Sequence, residues 1–410
     1  MKREIRNERN EGLLRRVAET PLGARLLLGL VLILLPIITV ALGRSYVVYL
    51  YSLVMVYVIV TLGLNILTGY TGQISIGHAG FMAVAAYTSA ILTGRFGVPF
   101  LLALVIASLF AAVLGLGLGV PALRLHGHYL AIATLGFGVA AGQLSASWDK
   151  LTGGYQGMKA PVASILGYRF DTDLKYYYLV LALTWLLVEA AQNMLRSRPG
   201  RALMAVRDSE VAASAMGINL AKYKVAAFAV SAFYAGVAGA LHAHLTRYVS
   251  PFDFNMGVSM TLLSAIVVGG LGSVPGSILG AVFMTIMPHV FSRVKNLPLI
   301  LAGLSLILVV LFLPYGLVSL PWRIKSAIAG ARAGRATKGG DAWARGCDGQ
   351  VRRTGGGQFA QLRGSGRHDS RAHRAQRRRQ EHRVQRRLAL HPAGRGRYPF
   401  PGAGSRLRTA

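Results

Sequence analysis

Between two strongly apolar runs, residues 64–80 gather uncharged polar groups and glycines: Asn65, Thr68, Gly69, Gly72, Gln73, Ser75, Gly77, His78 and Gly80. Glycine reaches backbone conformations that other residues resist. The amide, hydroxyl and imidazole groups offer donors and acceptors without a fixed charge. At membrane depth such groups are expensive unless they face a cavity or a partner helix. One reading is a broken helix whose Asn65, Thr68, Gly69, Gln73, Ser75 and His78 line a translocation path. The other is an ordinary loop with helix caps, and the residue types alone favour neither. His78 taken singly reads as a packed, hydrogen-bonded side chain, since no nearby Cys, Asp or Glu completes a metal site.

A second candidate lies in the polar stretch 195–224. Asp208 is a good helix N-cap, Glu210 in the first turn suits the helix dipole, and Gly217 is a natural stop. The spacing predicts a short helix over 209–216. Val211, Ala212, Ala215 and Met216 then form one apolar stripe. An apolar stripe on an aqueous loop suits a protein groove, with Arg201 and Arg207 flanking it to meet acids on that partner. The competing reading lays the helix on the membrane, its arginines among anionic lipid heads.

The elements that must position these residues are membrane spans. The chain has 410 residues, 53% hydrophobic and only 15% charged; a soluble protein carries about 25% charged residues. That deficit excludes an ordinary soluble enzyme. Apolar runs at about 26–42, 46–67, 81–94, 98–120, 129–143, 176–194, 224–246, 258–290 and 297–319 are candidate helices, because lipid offers the backbone no hydrogen-bond partner. A cleaved leader is the alternative for the first run; its acidic, lengthy preceding segment favours a retained span. The expected fold is all-α, a polytopic helical bundle with re-entrant or broken helices. It divides into a basic cytoplasmic N-terminus at 1–25, a membrane domain of eight or nine spans at 26–320 and a tail at 321–410.

Arginine and lysine set the orientation. The N-terminus and the 195–224 loop are basic and belong inside, while the mixed-charge loop 144–175 suits the outside. For the basic tail also to lie inside, the 258–290 run must enter and leave on one side. Gly269, Gly270, Gly272, Pro275 and Gly276 break that run, so a hairpin is expected. Gly115 and Gly119, Gly276 and Gly280, and the alanine-rich 225–243 are spaced for close helix packing. Acids inside spans are nearly absent, Glu189 being the exception. Ion-coupled carriers keep ionisable groups there, so the energy should come from a partner.

Residues 1–320 hold 23 Lys and Arg against 11 Asp and Glu, and residues 321–410 hold 22 against 4. The tail shows no span and no apolar period, and its lone cysteine, Cys347, builds no thiolate site within the chain. One reading is a disordered tail attracted to nucleic acid. The other is a shifted reading frame. With synonymous codons chosen freely, the codons of residues 374–387 read one nucleotide forward as G-P-N-G-A-G-K-S-T-V-F-N-V-V. That string contains the G-x-x-x-x-G-K-[ST] phosphate loop of nucleotide hydrolases. As translated the loop is absent, and no ATPase activity is ascribed to the tail.

Residues 64–87, the loop from Gly200-Arg201-Ala202 to Gly217-Ile218-Asn219, and the stretch 269–276 together resemble the second-type permease of high-affinity branched-chain amino acid ABC importers. The resemblance covers roughly 40–320, and out of frame the tail resembles the start of the family's ATPase subunit. It implies a passive conduit without catalytic residues or cofactor. Its partners would be a homologous permease, two ATP-binding cassette subunits, a periplasmic binding protein and membrane lipid, with no nucleic acid. Leucine, isoleucine and valine would be the substrates. Arg201, Arg207, Asp208, Glu210, Val211, Ala212, Ala215, Met216 and Gly217 would couple to an ATPase. Alternatives are a permease for urea, an amide or a sugar, an intramembrane enzyme, for which no Ser–His–acid or His–His–acid spacing is found, and a nucleic-acid anchor.

Overall fold

A computed structural model describes residues 21–125, 127–165 and 167–290, together with 303, 304, 307, 311 and 316–319. The remainder of the N-terminal segment 1–25, most of the last expected span at 297–319 and the whole tail 321–410 lie outside the described residues.

Helices account for nearly all of the described chain. α1 (Pro21–Ala41), α2 (Ser45–Thr71), α3 (His78–Gly94), α4 (Phe100–Ala122), α5 (His128–Ser147) and the single turn α6 (Asp149–Thr152) come first. α7 (Asp173–Arg196), α8 (Arg198–Asp208), α9 (Glu210–Ala215), α10 (Leu220–Thr246), α11 (Met256–Gly269) and α12 (Val274–Val290) follow. Two two-residue antiparallel pairs complete the picture: β1 (Met158–Lys159) with β4 (Tyr248–Val249), and β2 (Ser164–Ile165) with β3 (Tyr168–Arg169). Six helical segments among the described residues are long and apolar enough to cross a bilayer, and α12 is a shorter apolar helix.

α2 and α10 form the axis. Each has 27 residues, about 40 Å at the α-helical rise. In their most apolar windows 67% and 72% of residues are buried, against 33% in α4. α10 has the small residues needed for such burial. Cβ atoms on Gly115 and Gly119 of α4 would crowd Ala232, Phe228 and Val225, so the expected small-residue contacts are made by these helices. α4 turns Leu101, Leu102, Val105, Leu109 and Val113 outward, a face fit for lipid.

The basic segment α8–α9 and the outer loop lie at opposite ends of α7. At the outer end β1 pairs with β4, tying the 148–172 loop to the end of α10. His289, near the end of α12, lies against Tyr46 at the start of α2, with ring centroids 6.5 Å apart. At the inner end Gly272, between α11 and α12, meets Gly69 near the end of α2. The 256–290 stretch therefore runs along α2 and returns as a hairpin broken at its glycines. Its limbs have 14 and 17 residues, about 21 and 26 Å. Cβ atoms at Gly276 and Gly280 would strike the facing α11 end at Gly269, Gly270 and Ala265, which explains the glycines.

Candidate functional site

The polar segment of the sequence is a true interruption. Gly72 adopts φ 77° and ends α2; its amide and that of Gln73 return to Thr68 O and Leu67 O. The chain then runs without helix through 73–77, and α3 begins at His78. His78 lies beside Ser231 of α10, which hydrogen-bonds Gly63 O. Gly63 is eight residues, about 12 Å, before the end of α2. The non-helical strand thus climbs back along α2, and α3 starts inside the bundle rather than at its edge.

Irregular backbone at this depth must find its partners in protein. Hydroxyls from three other helices hold the break and the start of α3. Thr134 of α5 accepts the Ile76 amide (3.0 Å), Ser259 of α11 accepts the Ala79 amide (3.1 Å), and Ser231 of α10 holds His78. Ser231 donates its proton to Gly63 O (2.7 Å), so its oxygen accepts from His78 Nε2–H at 2.6 Å. His78 Nδ1 then accepts from the Ser75 hydroxyl (3.0 Å). His78 is fully buried and hydrogen-bonded on both nitrogens, the packed role its isolation in sequence suggested.

Asn65 does a different job. Its Nδ2 donates to Ser273 O (2.9 Å) and Ser277 Oγ (2.7 Å), and its Oδ1 accepts from Gly272 N (2.9 Å). One amide thus staples α2 to the α11–α12 turn. Gly69 makes room for that contact, since a Cβ there would overlap Asn65 Oδ1 and Gly272 N. Thr68 donates to Gln73 O (3.2 Å) and braces the break from below. Gln73 stands apart: it is 6% exposed, and neither atom of its side-chain amide has a hydrogen-bond partner among the described residues.

In the basic loop 195–224 there are two helices where one was expected. α8 has Pro199 in its first turn, where a missing amide proton costs nothing, and buries Ala202, Leu203 and Val206. Asp208 is not an N-cap; it ends α8. The cap of α9 is Ser209, whose extended backbone turns its hydroxyl to the Ala212 amide (3.2 Å). α9 spans 210–215, within the expected 209–216, and Gly217 with φ 80° closes it as foreseen. Glu210 is held by Lys224 of α10 at 2.7 Å. Val211 and Met216 are 82% and 85% exposed, and Ala212 and Ala215 share that exposure, so the stripe exists and faces away from the bundle. The arginines do not flank it as a pair. Arg201 donates to Arg196 O (3.1 Å), and Arg207 turns inward to Gly69 O (2.9 Å).

Interrupted helices whose half-ends are held by side chains of their neighbours are a recurring feature of multi-pass helical transport proteins. A family profile described as the permease component of branched-chain amino acid transport systems matches residues 46–329, and the chain belongs to that family. It is a permease subunit of a branched-chain amino acid transport system and a multi-pass protein of the inner membrane.

Among its relatives is the high-affinity branched-chain amino acid transport system permease protein LivM of Escherichia coli K12, 35% identical over 291 residues, covering 65% of this chain and 68% of the relative. A probable LivM of Methanocaldococcus jannaschii is 24% identical over 314 residues, 64% of this chain and 90% of the relative. The high-affinity branched-chain amino acid transport system permease protein LivH of E. coli K12 is 31% identical over 141 residues, 34% of this chain and 46% of the relative. These relatives are transport permeases, not enzymes. No solved structure matches the chain.

Proposed function

We propose that the chain is the passive translocation subunit of an ABC importer. It pairs with a homologous permease, two ATP-binding cassette subunits and a periplasmic binding protein, and it passes leucine, isoleucine and valine. The substrates follow from the family and from the names of the relatives. The path runs by the interrupted segment, where Gln73 supplies the amide that meets the solute's polar groups. Asn65, Thr68, Gly69, Ser75 and His78 keep that segment in its broken form.

The observation that carries the coupling assignment is the exposed stripe of Val211, Ala212, Ala215 and Met216 on a capped two-turn helix at the inner end. Apolar side chains so exposed on an aqueous face suit a groove on another protein. Ala212→Asp places a charge in that contact. It is expected to leave membrane insertion intact, release the ATPase subunits on purification and reduce uptake at least about tenfold, which corresponds to ~1.4 kcal/mol or more of lost docking energy. Normal uptake by this variant removes the assignment. Competition of labelled leucine uptake by isoleucine and valine, set against urea, amides and sugars, tests the substrate class.

A further inference from the structure

Among the described residues of the predicted coupling set, Arg207 hydrogen-bonds the interrupted helices. From the last turn of α8 its Nη1 donates to Gly69 O at 2.9 Å, while Nε and Nη2 hold Asp208 Oδ1 at 3.2 and 3.1 Å. The acceptor is a carbonyl near the C-terminus of α2, where the helix dipole favours a cation. The side chain also lies against both glycine breaks: a Cβ on Gly72 would come 3.2 Å from Arg207 Cγ, and one on Gly272 would come 2.9 Å from Nη1. Both glycines have positive φ, 77° and 72°. One guanidinium therefore abuts the end of α2, the start of the 72–77 strand and the α11–α12 turn. Asn65 has already stapled the first and third of these together, so the arginine grips a connected unit.

The cytoplasmic side of the link is equally defined. α8 and α9 are separated by one extended residue, Ser209, with φ −164° and ψ 113°. α9 is fixed to α10 through the Glu210–Lys224 ion pair, and Lys224 is itself buried. A push on α9 thus reaches α8 through a single-residue joint. α8 is anchored by its buried Ala202, Leu203 and Val206, and its charged end is Arg207.

We propose that Arg207 is the positioning residue that carries movement of the cytoplasmic helices to the interrupted segment, by holding the Gly69 carbonyl in one arrangement and releasing it in the other. This rests on the ABC-importer reading and deepens it. A charge-assisted bond to a neutral carbonyl is strong enough to bias two states and weak enough to break in each cycle.

The test uses the full complex in liposomes, with uptake and ATP hydrolysis measured on the same preparation and with Ile74→Cys, an exposed site in the 72–77 strand, as a labelling reporter. ATP-dependent uptake by the unmodified complex checks the importer reading itself. Arg207→Met is expected to retain the ATPase subunits and hydrolyse ATP, while uptake per ATP falls about tenfold. The nucleotide-dependent change in labelling at Ile74→Cys should vanish with it. Arg207→Lys, which keeps a cation that can reach Gly69 O, should recover at least half of the lost uptake per ATP. Asp208→Asn removes the outer brace without touching the bundle, and should lower uptake per ATP about two- to threefold. Unchanged uptake per ATP in Arg207→Met or in Asp208→Asn overturns the proposal. So does loss of the ATPase subunits from Arg207→Met, which would make Arg207 a docking residue instead.

Discussion

Residues 72–77 and 270–273 both interrupt apolar helices with glycines, yet they leave their polar groups in different states. At 270–273 the turn is closed: Asn65 takes up Gly272 N and Ser273 O, and Ser273 Oγ donates to Gly270 O and accepts from Gly276 N. At 72–77 a hydroxyl of α5 holds the Ile76 amide, and hydroxyls of α10 and α11 hold the His78 ring and the Ala79 amide just beyond, but the Gln73 amide is buried with no partner on either atom among the described residues. Buried polar groups are almost always paired. The difference separates two uses of a broken helix. One break is finished as structure, and the other keeps an amide in reserve.

The contrast can be broken from the finished side first. Asn65→Leu deletes three hydrogen bonds and takes the acceptor from Gly272 N, while Ser273 O keeps the Ser277 amide and Ser277 Oγ keeps Ser273 O. At about 1 kcal/mol for each bond lost, the expected loss is about 3 kcal/mol. The apparent melting temperature of the detergent-solubilised protein should collapse, and a melting temperature near that of the parent would show the staple to be ornamental. Gly69→Ala comes next. Its methyl must displace either Asn65 or the facing turn, an overpacking cost of about 2 kcal/mol. Thermal denaturation of the purified subunit measures it, and a neutral result would mean the two segments are free to separate.

The smallest change in stability, and the most informative, is Gln73→Leu. Replacing an unpaired buried amide by an apolar side chain of similar size should stabilise the fold by about 1 kcal/mol. Uptake should nonetheless fall, because the group proposed to meet the solute is gone. A variant that is less stable and transports normally would reverse the comparison, making Gln73 a structural residue whose partner forms in another state.

The sequence exposed the membrane helices well because lipid enforces one rule over long stretches: apolar side chains outside, backbone bonds satisfied within. The glycine-rich breaks were visible for the same reason, since Gly72 and Gly272 stand out in apolar surroundings. Their wiring was not visible. Thr134, Ser231 and Ser259 are isolated hydroxyls inside apolar helices, 153 positions separating Ser231 from His78, and nothing local marks them. The inner loop failed for a different reason. Ser209 and Asp208 are adjacent, and both are good caps; only the buried face of α8, set by Ala202, Leu203 and Val206, decides which one ends a helix and which one starts the next. That i, i+1, i+4 pattern was present in the letters. Arg207 was placed on the wrong side because a helix assumed to start at 209 leaves it in a loop, whereas the last turn of α8 points it at Gly69.

The extended Ser209 carries an evolutionary consequence. Because a single residue parts the anchored α8 from the outward-facing α9, the four exposed side chains of α9 are free to be rewritten while the buried face of α8 stays untouched. Under the docking proposed above, a lineage would exchange one motor subunit for another by editing that small plug alone.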